Sequence, residues 1–182
     1  MRRMTSTRTA APTTPVVAPD PAGARMLAVC RILLGFVFLW PALDKSFGLG
    51  YATPADAAWL TTGSSPTAGY LGHVTGPLGG FFGGLASPVS DVLFVAGMFA
   101  TGTALILGVG LRVAAVSGTL LMILLWLSTW TFAPGSTNPA VDTHVIYASL
   151  AITLAAARAG DRWGLGRAWA ASGIPGSRTW LR

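Results

Sequence analysis

The sequence predicts an all-α membrane protein: a four-transmembrane-helix bundle with N- and C-termini cytoplasmic. Three observations carry that prediction. Of the 182 residues, 52% are hydrophobic and only 10% charged, with a mean hydropathy of +0.60; a soluble domain carries about 25% charged residues. Four apolar runs, at residues 26–43, 89–110, 112–132 and 139–158, approach the length needed to cross a hydrocarbon core of ~30 Å. The basic residues also sort to one side. Arg2, Arg3, Arg8, Arg25, Arg112, Arg158, Arg162, Arg167, Arg178 and Arg182 fall on the side of the termini, and only Lys45 falls on the other. That is the positive-inside pattern.

Taken in order, residues 1–25 are rich in Thr, Pro, Ala and Arg without periodicity and read as a disordered cytoplasmic tail. A cleaved signal peptide is not expected, because the first apolar run starts late and lacks a small-x-small cleavage site. The transmembrane domain is expected over 26–159. Its first span, 26–43, runs into the stretch RILLGFVFLWPALDKSFGLG (31–50) and carries Arg31 inside it and Pro41 near its far end. Proline removes a backbone donor, so the helix should kink or end there, with Trp40 in the aromatic belt.

The outer loop, 44–88, contains Thr53-Pro54-Ala55-Asp56, a helix-start pattern that predicts a short interfacial helix through Trp59 and Leu60. GPLGGFFGGLA at 76–86 is too short and glycine-rich to span. Ser87-Pro88 opens the second span, where Gly97, Thr101, Ala104 and Gly108 recur at helical spacing and should admit a close neighbour. Gly110-Leu111-Arg112 is a tight turn into the third span. Asn138-Pro139 is the expected cap of the fourth. The tail, 160–182, mixes Arg with Trp163, Trp169 and Trp180 and reads as a surface segment or a partner contact.

Composition excludes several classes. The sequence pI near 10.8 does not imply nucleic acid, because the arginines cluster beside apolar runs instead of forming a basic stripe. Cys30 is the single cysteine, so an intrachain disulfide, a CxxC pair or a cysteine metal cluster has no material. His73 lies in a glycine-rich loop, unsuited to pair with His144 around haem, and no metal site is expected. No nucleotide loop, HExxH or GxSxG occurs. The Arg, Ala and Gly bias is that of a GC-rich bacterial genome, which places the expected span in a bacterial cytoplasmic (inner) membrane.

The remaining ionisable groups gather at the outer end: Asp44, Lys45, Asp56, His73, Asp91, Asp142 and His144. If the first and fourth spans pack together, Asp44, Lys45, Asp142 and His144 lie at one depth, where they could move protons. A neutralising ion-pair cluster accounts for the same residues. Asp91 and Asp142 also suit the positive end of a helix dipole. Arg31 has two readings as well: it snorkels to inner phosphates, or it faces inward and anchors an anionic or quinone headgroup.

Three stretches together resemble the DoxX family, which includes the DoxD subunit of thiosulfate:quinone oxidoreductase. They are RILLGFVFLWPALDKSFGLGYATP, AAWLTTGSSPTAGYLG, and NPAVDTHVIYASL with the trailing AGDRWGLGR. The resemblance covers roughly residues 25–167 and matches the family at Arg31, at Asp44-Lys45 and at Asp142 with His144. It implies a four-helix membrane protein tied to quinone-linked redox chemistry, often beside a partner protein subunit or soluble redox enzyme. On that expectation Asp142, His144, Asp44 and Lys45 handle protons, while Arg31, Trp40, Trp59 and Tyr147 contact the quinone.

Four outer aspartates against one lysine would repel a dianion such as thiosulfate, so the residues suit the quinone half of such a reaction better. The chain has no cofactor motif of its own, so electrons would come from a partner. Two further readings stand beside this one: a non-catalytic scaffold or assembly subunit docking through its tail, and a small-molecule or ion carrier.

Overall fold

The computed structural model describes residues 21–179. The expected tail therefore lies mostly outside the described residues, as do Trp180 and Arg182, while residues 21–25 belong to the first helix. Among the described residues the chain is all-helical. Its elements are α1 (Pro21–Phe47), α2 (Trp59–Thr62), α3 (Ala68–Leu71), α4 (Gly79–Gly84), α5 (Pro88–Leu107), α6 (Leu111–Thr129), α7 (Thr143–Ala156) and α8 (Gly166–Ala171). Short 3-10 turns occupy Ala55–Ala57 and Ala159–Asp161.

Four helices form the body. α1 packs on α5 and α7, and α6 packs on the same two, which closes a ring around one core. Leu34, Phe38, Val95, Met98, Met122 and Leu154 fill it. Neighbours run antiparallel, so two ends are distinct. At one, which we call the Arg31 end, α1 and α6 begin while α5 and α7 finish. At the other, the Asp142 end, α1 and α6 finish and the loop 48–87 lies.

The outside of the bundle is as apolar as the inside. Val116 is 72% exposed and Leu93 67%, values that a water-facing surface rarely sustains in a contiguous band. Lipid accepts such a surface, because helices already satisfy their own backbone groups. α1, α5 and α6 are each long and apolar enough to cross a membrane: these are the makings of a multi-pass membrane protein.

The fourth helix departs from the predicted 139–158. α7 has 14 residues, about 21 Å at the helical rise, short of a ~30 Å core. Its start moves because Asp142, not Asn138, caps it. Asn138 instead closes a turn ahead of the helix, its Oδ1 accepting the N–H groups of Ala140 and Val141 at 3.0 Å each. The bundle thus has four helices, three of them of spanning length.

Pro41 does not end α1. It leaves only one ladder bond unmade, and the six residues beyond it stay helical with Ala42, Asp44 and Ser46 buried. In the loop, the predicted interfacial helix is split at Ala58, whose extended backbone (φ −71, ψ 125) separates the 3-10 turn from α2. Thr53 is not its cap; its carbonyl accepts the Gly50 N–H at 3.0 Å.

α5 opens as predicted, with Ser87 Oγ accepting the Ser90 N–H at 3.2 Å. The close helix contact has a different register from the one expected. A Cβ on Gly35 would stand 2.9 Å from the Gly102 carbonyl oxygen, and one on Gly102 2.6 Å from the Leu39 backbone nitrogen. α1 and α5 therefore meet backbone to backbone at Gly35 and Gly102. Gly97 meets only the tip of Leu121.

Candidate functional site

Arg31 is the largest fully buried side chain among the described residues, with no exposed surface. It neither snorkels nor presents itself to a ligand. Its Nη1 donates to the carbonyls of Leu105 and of Ile106 (2.7 Å), and its Nη2 to that of Trp163 at 2.8 Å. The last carbonyls of a helix lack intrahelical partners and form its negative end. A planar, permanently charged fork is the side chain best shaped to satisfy several of them.

The surrounding backbone is pressed close. A Cβ on Gly108 (φ +73) would come 3.0 Å from Nη1, and one on Gly164 3.0 Å from Nη2. Leu165 adds its N–H to the Leu107 carbonyl at 2.8 Å. The segment after α7, expected as a surface segment or a partner contact, is thereby stitched onto the end of the bundle. The signal that could have revealed it is the spacing of Gly160, Gly164 and Gly166 opposite Leu107-Gly108.

At the Asp142 end the acids are arranged differently. Asp44 is 2% exposed, and its two oxygens accept the N–H groups of Tyr51 (3.4 Å) and Ala52 (3.0 Å). It closes the exit of α1 and is not paired with Lys45. Asp91 was a candidate for a dipole role in the first turn of α5. It is buried, and its Oδ1 accepts Ser65 Oγ at 2.8 Å, Thr67 Oγ1 at 2.6 Å and the Thr67 N–H at 3.1 Å. Those bonds pin the loop to the bundle; the pin was not legible, because it depends on residues 24 and 26 positions away. Tyr70 adds a second tie, its hydroxyl 2.6 Å from Ser128 Oγ.

Asp142 and His144 form a pair in which one nitrogen of a titratable ring is left open. Asp142 Oδ1 accepts the N–H groups of His144 (2.9 Å) and Val145 (3.2 Å), capping α7. Its Oδ2 lies 2.6 Å from His144 Nδ1, and both side chains are 22% exposed. Burial pushes the Asp142 carboxyl up. The bond to the His144 ring, the Val145 N–H, the field of His144 and the His144 N–H outweigh it, so the group sits below the ordinary value of 3.8. Asp142 is thus ionised at neutral pH and can only accept, which makes Nδ1 of His144 the donor. The other ring nitrogen, Nε2, has no partner among the described residues.

Other predicted residues lie around these two groups. Trp40 is half-buried, stacked on Phe36 with centroids 5.5 Å apart and edge-on to Tyr51 at 4.9 Å. Tyr147, on α7 three residues from His144, and Trp59 of α2 are half-buried against the core. Lys45 is half-buried at the end of α1. No hydrogen bond or ion pair joins Asp44 or Lys45 to Asp142 or His144, although all four lie at the same end. His73 turns Nδ1 to the Gly69 carbonyl at 2.6 Å in the exposed loop. Among the described residues no three His, Cys, Asp or Glu side chains are grouped to hold a metal ion. In comparisons with known proteins, no protein-family model matches the sequence, and no curated protein or solved structure matches it.

Proposed function

We propose that the chain is a DoxX-like membrane subunit of a quinone-linked oxidoreductase system acting on a sulfur compound or thiol, with Asp142 and His144 as its proton-handling pair. In this reading the bundle crosses a bacterial inner membrane four times, with both termini cytoplasmic and the Asp142 end outside. The observation that supports it most is the His144 ring: oriented through Nδ1 by a carboxylate, with Nε2 open. That arrangement lets an imidazole pass a proton to or from a bound group. Reducing a quinone to a quinol takes two electrons and two protons. The electrons come from a partner redox protein, and His144 relays protons at the quinone oxygen. Trp40, Trp59 and Tyr147 supply aromatic surface at that end. Arg31, closed off at the opposite end, is not part of this site.

The test is binding of a short-chain quinone to purified protein in detergent, read by tryptophan fluorescence, with His144→Gln beside the parent. Loss of one hydrogen bond to a neutral carbonyl is worth ~0.5–1.5 kcal/mol, so affinity should fall about two- to tenfold. Unchanged affinity would remove the site. The reading as a scaffold or assembly subunit draws support from a separate observation. Asp44 and Asp91, two of the outer acids, are tied up in holding the loop. A scaffold would bind no quinone, and a partner would co-purify equally with the His144→Gln variant and the parent.

A further inference from the structure

At the Arg31 end, a cavity of about 490 Å³ opens between the first turns of α1 and the segment following α7. That is within the roughly 300–1,000 Å³ of pockets that hold small molecules. Its polar wall carries Arg158, Arg162 and Arg167 against one acid, Asp161; its apolar wall is formed by Ala24 and Leu27 of α1. None of the three guanidinium groups has a hydrogen-bond or ion-pair partner among the described residues. The chain reaches this arrangement by two sharp reversals, at Arg158 (φ 51) and Trp163 (φ 49). Both lie in the left-handed region that a side chain seldom adopts, and a residue held there often marks a functional constraint.

We propose that this cavity seats the phosphate headgroup of an anionic phospholipid. Arginine forks match phosphate oxygens two at a time. Three of them with one carboxylate leave an excess of two positive charges at the mouth of an apolar bundle, where headgroups lie. Basic pockets at helix ends are the usual seats of such lipids. The flanks argue for a lipid over free phosphate. Met26 (62%), Trp163 (58%) and Leu165 (52%) are exposed beside the arginines, and such side chains favour the acyl and interfacial layer. Arg31 takes no part, being closed off four residues deeper than Leu27 on α1. The site is separate from the Asp142 pair and does not rest on the quinone reading.

The experiment uses full-length protein in mild detergent and follows its thermal unfolding and native mass spectrum with phosphatidylglycerol or phosphatidylcholine of matched chains. Phosphatidylglycerol should be retained selectively and raise the midpoint. The double variant Arg162→Gln/Arg167→Gln should bind it about tenfold or more weakly, while Arg112→Gln, an exposed arginine outside the cavity, should bind as the parent does. Equal retention of the two lipids, or unchanged binding by the double variant, overturns the proposal. So does an equal loss in Arg112→Gln, which would mean diffuse charge attraction. Inorganic phosphate at millimolar concentration reproducing the full stabilisation would overturn the lipid assignment.

Discussion

The two ends of the bundle handle buried charge in opposite ways. At the Arg31 end a cation is placed where no water reaches, and carbonyls from α5 and from the segment after α7 converge on its fork. Every acceptor that its fork reaches is a backbone carbonyl. At the Asp142 end Asp44, Asp91 and Asp142 are each held by N–H or hydroxyl donors, and one of them orients an imidazole with its second nitrogen open. The difference separates charge used as mortar from charge left available. A buried arginine inside an apolar helix looks like a functional signal, yet here its partners are all carbonyls of its own chain.

The largest expected effect comes from breaking the mortar. Arg31→Leu leaves the carbonyls of Ile106 and Trp163 without their donor and the Leu105 carbonyl with only the Gly108 N–H at 3.2 Å, and should cost ~3–5 kcal/mol, by analogy with removing one member of a buried charged network. Reversible unfolding in mixed micelles would measure it. A cost below about 1 kcal/mol would mean that the clasp is dispensable. Gly160→Ala comes next, because a Cβ there would overlap the Gly108 carbonyl. It should cost ~1–3 kcal/mol as overpacking against rigid backbone. Gly97→Ala, where a Cβ would sit 3.5 Å from Leu121, is the control and should be neutral or slightly stabilising. Equal effects at both glycines would deny that the Arg31 end is the tightly packed one.

The smallest effects belong to the Asp142 end. Asp142→Ala removes a helix cap, at ~1 kcal/mol, whereas Asp142→Asn keeps it. Asparagine presents no full charge to the ring and should therefore separate capping from ring orientation. The acid limb gives a further reading. Asp142 lies below its ordinary 3.8 in the folded protein, so its contribution is fully present above that value. It is lost only as pH falls through the depressed folded value. Asp142→Asn should flatten this acid limb and lower stability at neutral pH by the amount the carboxylate contributes there. An identical limb in the variant would show that another acid carries it.

Much of the bundle could be read from the sequence. Apolar runs gave α1, α5 and α6 to within about five residues, and Ser87 marked α5's start by local chemistry that needs no tertiary partner, whereas Gly108, expected inside the span, caps its end. What escaped depended on distant residues. Arg31 was equally an interfacial anchor or a ligand, since its partners lie 74, 75 and 132 positions away. Asn138 and Asp142 both have capping chemistry, and the fold uses both, one for the turn and one for the helix. Gly97 and Gly102 are indistinguishable by composition; only the face that α1 approaches decides between them. The Asp142–His144 contact was legible because it closes within two residues, whereas the loop pins at Asp44 and Asp91 were not.

The bond from Arg31 to the Trp163 carbonyl also has a temporal side. It joins positions 132 apart, nearly the span of the described chain, so during synthesis the guanidinium enters its helix long before its last acceptor exists. α1, α5 and α6 can assemble with the fork half-satisfied by Leu105 and Ile106. The end closes only when the residues after α7 have emerged, and loop-closure entropy makes such a contact late. Chains that stop short of residue 163 would hold an under-bonded cation in an apolar layer, a state that membrane quality control could distinguish from the finished protein.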